Sequence, residues 1–190
     1  KIASQSPKPP PDIVVVAIDE PSFGEIGMPW PWPRSLHAAL IQALTEAGAQ
    51  TIVLDLILDQ RSQDPQEDLF LIEAVREAGN VILAADWQET LDQGYSVSQW
   101  INPFPELEQA AAGTGIAKLP FDPDGVIRRA ALTFQGRPSI TLVAAERRPG
   151  FAEPERLEEQ RLIRFDGPQR TGVKTVSYYQ ALNPAELLPG

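Results

Sequence analysis

Residues 13–58 of this chain read IVVVAIDEPSFGEIGMPWPWPRSLHAALIQALTEAGAQTIVLDLIL, and this stretch decides the fold class. Its start, Ile13–Ile18, is a short apolar run rich in valine, which is typical of a strand buried on both faces of a parallel sheet. Apolar residues then recur at helical spacing and predict a helix over Pro33–Ala47, which Gly48 ends. A second buried strand is predicted at Thr51–Leu58.

The same alternation continues along the chain. Gln63–Asp68 places a capping aspartate, a proline and a glutamate where a helix begins, with Glu67 positioned to reach back to the cap. Asn80–Asp86 is a third apolar run and a third predicted strand. The β-α-β-α-β start with short connections predicts an α/β fold: a mostly parallel central sheet with helices on both faces.

The C-terminal half is less regular, and we predict mixed strands there. No element is assigned to residues 87–103, and GTG at Gly113–Gly115 follows a predicted helix, which favours a turn over a phosphate-binding loop. A strong turn signal lies at PFDPDG, residues 120–125. The remaining predictions are helices at Pro105–Ala112 and Pro138–Arg147, and strands at residues 115–119, 126–134, 161–165 and 174–179.

The composition excludes several classes of function. The chain has 190 residues, 43% of them hydrophobic, which suits one domain. A net charge of −10 repels phosphate backbones and anionic lipids, which argues against nucleic-acid binding. The absence of cysteine excludes disulfides, thiolate metal sites and cysteine nucleophiles. No apolar run approaches the roughly 20 residues of a membrane-spanning helix.

Two aspartates mark the candidate site. Asp19 and Asp55 lie at or near the ends of predicted parallel strands, and open α/β sheets bind ligands beyond the carboxyl ends of their strands. Such carboxylates can bind a divalent cation or a cationic or hydroxyl-rich ligand, or they can cap a turn or pair with an arginine. Arg34 is either an anion clamp or a structural arginine tied to Asp19, Glu20 or Asp55.

Catalytic motifs are not evident. His37 is the only histidine, so it makes a poor metal site, and we expect it on the exposed helix surface. Ser22 and Ser139 lack a GxSxG elbow. No GxGxxG follows the first strand and no phosphate-binding GxxxxGK[ST] occurs.

Aromatic and basic pairs suggest structural roles. Trp30 and Trp32 flank Pro31 and form either a wall for an apolar or sugar-like ligand or, as we favour, a plug over one end of the core. Arg128 and Arg129 are consecutive on a predicted strand, so we expect them on opposite faces, one meeting a carboxylate and the other in solvent.

The order of these motifs resembles one family of sensory domains. The shared residues of the first half are Ile18, Asp19, Ser22, Trp32, Pro33, Arg34, Asp55 and Asp68. The second half matches through GIAKLPFDPDGVIRRA (residues 115–130), RPSITL (137–142) and TVSYYQAL (175–182). Over Asp12–Leu188 the chain therefore resembles the second family of CHASE domains, the cyclase- and histidine-kinase-associated sensory extracellular domains.

The resemblance implies a non-enzymatic sensor that lies outside the cytoplasmic membrane. The receptor would be a bacterial histidine kinase, adenylate or diguanylate cyclase or Ser/Thr kinase, working as a homodimer and perceiving an unknown small molecule or protein. Lys1–Asp12 would be an extended linker from a preceding membrane helix, and residues 13–190 a single domain. The family pattern has one more strand after the segment NPAELLPG, which predicts that the last element of the sheet lies outside this chain.

The resemblance and the residues together yield two sets of candidate positions. The ligand-binding candidates are Asp19, Ser22, Arg34 and Asp55. The structural candidates are Trp30, Trp32, Asp68, Asp124, Gly125 and Arg128. We predict no catalytic residue, metal or cofactor. Two alternatives stay open: a structural or dimerisation module without a small ligand, and a metal-dependent hydrolase using Asp19, Glu20 and Asp55.

Overall fold

The structure, a computed structural model, describes residues 12–92, 95–152, 160–163, 172–183 and 185. Its strands are β1 Val14–Ala17, β2 Ile52–Leu54, β3 Val81–Asp92, β4 Tyr95–Ile101, β5 Gly113–Ile116, β6 Arg129–Ala130, β7 Thr133–Phe134, β8 Arg137–Pro138, β9 Arg161–Leu162 and β10 Lys174–Ser177. Its helices are α1 Glu20–Ile26, α2 Arg34–Glu46, α3 Pro65–Ala78, α4 Pro105–Ala110, α5 Ile140–Glu146 and α6 Tyr178–Ala181.

Strand β3 is the centre of the main sheet. It pairs in parallel with β2 on one side and with β5 on the other. Val81 and Leu83 point to one face, where α2, α3 and α4 supply the main core, while Ile82 and Ala84 pack against α5 on the opposite face. The predicted α/β class, with a parallel sheet between helices, is confirmed.

The long extension of β3 was not predicted. Residues 86–92 pair in antiparallel register with β4, so the sheet continues into a hairpin through the stretch left unassigned. Most residues of this stretch are polar, and Gln88 and Glu89 are exposed, which suits a strand with at least one face outside the core.

The first strand is less buried than its sequence predicts. β1 pairs in parallel with β10, and Val14 and Val15 are 43% and 44% exposed. The run of valines therefore marks a strand, because β-branched side chains favour extended backbone, but it does not mark burial on both faces. The second predicted strand is also shorter, since β2 ends at Leu54.

A helix occupies part of the stretch between the first predicted strand and the first predicted helix. Helix α1 begins beside the capping residue Asp19, with Pro21 in its first turn, and ends at Gly27, whose φ of 66° is left-handed. With only seven residues, it is too short to show helical periodicity. The predicted strand at residues 174–179 is likewise corrected, because Tyr178 and Tyr179 begin α6.

The rest of the C-terminal half follows the predictions in part. The helices α4 and α5 are confirmed, whereas the predicted strand at residues 126–134 divides into β6 and β7. The predicted turn at Gly113–Gly115 is wrong, because these residues form β5. Parts of the segments predicted at residues 149–165 and after residue 183 lie outside the described residues.

Trp32 and residues from α1, α2, β1, β10 and α6 form a second core. Its members are Trp32, Leu40, Tyr178 and Ala181, packed with Val16, Phe23, Ile26, Leu36, Leu44, Val176 and Leu182, and we call it the Trp32 cluster. Helix α2 contributes Ala38 and Ile41 to the main core and Leu40 to the Trp32 cluster. It therefore joins the two parts of the fold.

Gly115 is the position of closest backbone approach. A Cβ added there would lie 2.4 Å from Cα of Ile140, at the first turn of α5. Because overpacking costs about 1–3 kcal/mol and here the obstacle is backbone, we expect Gly115→Ala to lower the free energy of unfolding by at least about 2 kcal/mol. Urea unfolding measures the change.

Gly24→Ala is the matched control for this substitution. Gly24 lies inside α1 with no heavy atom within 4 Å of an added Cβ. Alanine is the better helix former, so the free energy of unfolding should stay constant or rise by about 0.5–1 kcal/mol. An equal loss in both variants would contradict the close contact.

Candidate functional site

The carboxylate of Asp19 is the centre of a hydrogen-bond network. Its Oδ1 accepts hydrogen bonds from the backbone N–H of Ser22 at 3.2 Å and from the Ser22 hydroxyl at 2.7 Å. Its Oδ2 accepts one from the hydroxyl of Ser177 at 2.8 Å. Asp19 therefore caps α1 and ties the end of β1 to the end of β10.

A second helix begins at the same network. Ser177 is the N-cap of α6, and its backbone N–H donates to the side-chain oxygen of Gln180 at 3.0 Å in a capping box. The Ser22 hydroxyl, which is fully buried, lies 3.4 Å from the backbone nitrogen of Tyr179. Two helix N-termini thus converge on one carboxylate, an arrangement in which both helix dipoles favour negative charge.

Arg34 has a different partner from the ones predicted. Its Nη1 lies 2.5 Å from Oδ1 of Asp68 in a buried ion pair, and its Nη2 donates to the carbonyl of Gln60. Asp68 also accepts hydrogen bonds from the backbone N–H of Ser62 at 3.1 Å. The expected pairing of Arg34 with Asp19, Glu20 or Asp55 is replaced because α2 packs directly against α3, which carries Asp68.

The neighbouring acid on α3 reinforces this contact. Glu67 accepts hydrogen bonds from the backbone N–H of Ser35 at 2.6 Å and from its hydroxyl at 3.0 Å. It reaches the start of α2 instead of its own helix cap, where Asp64 accepts from the backbone N–H of Gln66. Because Glu67 supplies a carboxylate to the first turn of α2, this helix end already holds an anion from the protein.

The four ligand-binding candidates are divided by these contacts. Asp19 and Ser22 belong to the network that includes Ser177, and Arg34 belongs to the network on α3. Asp55 follows β2 and is exposed. That the four candidates bind a ligand stays a prediction. The contacts described above give Asp19, Ser22 and Arg34 a structural role.

The two tryptophans have different environments. Trp32 is 3% exposed, its Nε1 donates to the carbonyl of Met28 at 3.2 Å, and its ring centroid lies 4.9 Å from that of Tyr178. Trp30 is 48% exposed and meets Trp32 edge-on at 5.4 Å. Trp32 is therefore buried at one end of the core, and Trp30 lies over it with about half of its surface exposed.

His37 is buried, contrary to the prediction of an exposed position. It is 3% exposed, and its Nδ1 lies 2.8 Å from the hydroxyl of Tyr178. Burial, together with the nearby charge of Arg34, lowers the pKa of His37 to about 4. The signal was present in the sequence: His37, Leu40, Ile41 and Leu44 recur at helical spacing, so His37 starts the apolar face.

The turn before β6 contains the other structural candidates. Arg128 makes two 2.8 Å contacts with the carboxylate of Asp124 and a 3.0 Å contact with Asp122, and Gly125 has a left-handed φ of 78°. Arg128 holds the pKa of Asp124 below its usual value. Arg129 also meets Asp122, at 3.4 Å, so the prediction that only one arginine finds a carboxylate is wrong.

The comparisons with known proteins identify the family. The family model for the CHASE2 domain matches residues 2–189. The chain belongs to the CHASE2 family. CHASE2 domains are extracellular sensor domains of signalling receptors and are not catalytic. No curated protein and no solved structure matches the chain significantly.

Two further observations concern the described part of this CHASE2 domain. None of the helices in the described ranges is long and apolar enough to cross a membrane. Within the same ranges, no group of three or more histidine, aspartate or glutamate side chains is placed to hold a metal ion.

Asp19 and Asp55 allow a matched test of the first network. Asp19→Ala removes a helix cap and leaves the buried Ser22 hydroxyl without its acceptor, so the free energy of unfolding should fall by about 2–4 kcal/mol. Asp55→Ala, at an exposed position, should change it by less than about 0.5 kcal/mol. Urea unfolding of both variants provides the measurement, and equal losses would show that Asp19 has no special role.

The buried His37 predicts a pH dependence of stability. Because its pKa is lowered from 6.5 to about 4, the unfolded chain binds more protons than the folded one between these values. The contribution of neutral His37 to the free energy of unfolding is therefore fully present above pH 6.5 and is lost as the pH falls. From pH 7.5 to 4.5, we expect the chain to lose about 2 kcal/mol more than His37→Asn loses.

The measurement is urea unfolding of both chains at the two pH values. His37→Asn keeps a hydrogen-bonding group near Tyr178 and cannot titrate, while all carboxylates are common to both chains. The difference between the chains thus isolates His37. An equal loss of stability in the two chains would mean that the pKa of His37 is not lowered in the folded chain.

Proposed function

We propose that this CHASE2 domain is the extracytoplasmic signal-input domain of a bacterial transmembrane receptor. The output domain inside the cell would be a histidine kinase, an adenylate or diguanylate cyclase, or a Ser/Thr kinase. The family match over residues 2–189 is the observation that carries this proposal. The input domain perceives its stimulus without chemistry of its own.

The pairing of β1 with β10 supports a route for the signal. β1 follows the proposed linker Lys1–Asp12, and β10 leads into the C-terminal segment. The hydrogen bond from Ser177 to Asp19 fastens the ends of these strands together. A stimulus that favours one of two arrangements of this pair would shift the segments on both sides of the domain at once.

A second copy of the domain is part of the proposal. Ile13, Val14 and Val15 are large apolar residues left exposed on and beside β1. Burying them in an isologous contact would place the β1 strands of two receptors side by side. Such a homodimer also accommodates the structural alternative, in which the domain dimerises without a small ligand.

Single cysteines in the receptor that carries this domain test its location. The domain has no cysteine, so Gln88→Cys, in an exposed part of β3, introduces one thiol once cysteines elsewhere in the receptor are replaced. We expect a membrane-impermeant maleimide to label this thiol in intact spheroplasts. Labelling that requires lysis would place the domain in the cytoplasm and contradict the proposal.

The same experiment tests the dimer with one more position. Val15→Cys should form a disulfide between two receptors under mild oxidation, because the two β1 strands meet. Gln88→Cys, away from β1, serves as the control and should not cross-link. Cross-linking at neither position, or faster at Gln88→Cys, would contradict a dimer built on β1.

A further inference from the structure

A group of three aromatic rings lies where β3 leaves the parallel sheet. The ring centroids of Trp87 and Trp100 are 4.5 Å apart, and the ring of Phe134 is 6.4 Å from each. All three side chains are only half-buried. They form an aromatic surface outside both cores, and neither the sequence motifs nor the sensor family assigns it a role.

Two cations lie against these rings. Nζ of Lys118 is 5.0 Å from the centroid of Phe134, and the guanidinium of Arg137 is 4.6 Å from that of Trp100. Both cationic side chains are half-buried. We call these five residues, Trp87, Trp100, Phe134, Lys118 and Arg137, the cationic aromatic patch.

The cations of the patch have neutral partners. Lys118 donates to the carbonyl of Trp87 at 2.8 Å, and Arg137 donates to the side-chain oxygen of Asn102, also at 2.8 Å. Among the described residues, neither forms an ion pair with a carboxylate, although the chain carries 26 acidic residues. Neither of these two half-buried cations therefore has a carboxylate within ion-pair distance among the described residues.

The nearest acidic residues in sequence are already engaged with Trp87. Asp86 accepts from the backbone N–H of Trp87 at 2.7 Å, and Glu89 accepts from its indole N–H at 2.9 Å. The contrast with Arg34 is direct, because that buried arginine is paired with Asp68. The carboxylates of Asp86 and Glu89 thus meet Trp87 and not the two cations, so an anion from outside the protein could pair with Lys118 and Arg137 directly.

The topology places the patch at a switch point of the sheet. Ala85 of β3 is opposite Ile116 of β5, so Trp87 and Lys118 each lie two residues beyond the carboxyl end of this parallel pair. After β3 the chain forms the hairpin with β4 and then α4 on one face of the sheet, and after β5 it passes through the short strands β6, β7 and β8 to α5 on the other face. Ligands of open α/β sheets bind in the crevice where adjacent connections diverge in this way.

We propose that the cationic aromatic patch binds a small organic anion that carries an aromatic ring. Its carboxylate takes charge-assisted hydrogen bonds from Lys118 and Arg137, and its ring packs on the tryptophans and Phe134. The role of this anion as the stimulus rests on the proposed sensor function. The binding itself does not, and it lies at the β3–β5 edge, away from the network of Asp19.

Calorimetric titration of the 190-residue chain tests the binding. The probes are benzoate, phenylacetate and indole-3-acetate, with benzamide as the uncharged counterpart of benzoate. We expect at least one acid to bind at a single site with quenching of tryptophan fluorescence, and benzamide to bind at least about tenfold more weakly than benzoate, since it lacks the charge. The absence of binding by all three acids at millimolar concentration, or equal binding of benzamide, would overturn the proposal.

Charge removal in the patch gives the specific test. Lys118→Gln and Arg137→Gln should each weaken binding by about tenfold or more. Arg61→Gln is the matched control, because Arg61 also lies over a ring, that of Phe104 at 5.8 Å, but is paired with Glu106. Binding in this control should be unchanged, and an equal loss there would show a non-specific effect of net charge.

The fold of each variant is checked by its thermal unfolding. If Arg137→Gln does not fold, Arg137→Lys keeps the charge and loses the paired donors, so it should bind less tightly than the unaltered chain. Unchanged binding in both Lys118→Gln and the folded Arg137 variant overturns the site. If the chain binds an acid but Gln88→Cys is labelled only after lysis, the site is retained and the sensor role is rejected. If no acid binds but Gln88→Cys is labelled in intact spheroplasts, the sensor role is retained and the site is rejected.

Discussion

The carboxylate of Asp19 holds the two ends of the domain together. It accepts a hydrogen bond from Ser177, 158 residues away in sequence, and two from Ser22 within its own helix cap. Strands β1 and β10 form a parallel pair separate from the main sheet, so few backbone bonds fix their position. The ordering entropy of such a distant pairing must be offset by side chains, and Asp19 supplies hydrogen bonds on both sides at once.

Helix α2 carries this constraint into the main sheet. Its first turn is fixed by two adjacent acids of α3, Asp68 on Arg34 and Glu67 on Ser35. Its other faces bury Ile41 in the main core and Leu40 in the Trp32 cluster. A displacement of β1 and β10 would therefore displace α2 as well. A shift of the main sheet would in turn displace the strands at both ends of the domain.

The sequence was informative where a local pattern decides the structure. The apolar periodicity of α2 and the capping signals of α3 are properties of neighbouring residues, so both helices were predictable. Helix α1 was not, because two turns with a glycine in the middle carry no periodic signal. The exposed part of β3 was missed for a related reason: its side chains leave the core, so the apolar pattern stops before the strand does.

Tertiary partners were the second limit of sequence reasoning. Arg34 was singled out as an anion clamp or a structural arginine, but its partner depends on how α2 docks against α3, which no spacing along the chain reveals. The prediction for His37 was wrong for a different reason. Its position on the apolar face of α2 was visible in the sequence, but we predicted exposure because histidine is polar. Its hydrogen bond to Tyr178 satisfies the ring inside the core, which is how a buried polar group is tolerated.

The carboxyl ends of the parallel strands were predicted as the ligand locus, and the pair of β1 and β10 differs there from the pair of β3 and β5. Beside β1, the oxygens of Asp19 accept hydrogen bonds from protein groups, so a ligand there must displace contacts that hold the fold. Beyond the pair of β3 and β5, Lys118 and Arg137 donate to neutral oxygens and form no ion pair among the described residues. An anion that binds there gains favourable electrostatic interactions with both cations, and no ion pair of the protein has to be broken. The switch-point rule and the charge distribution therefore both favour the pair of β3 and β5.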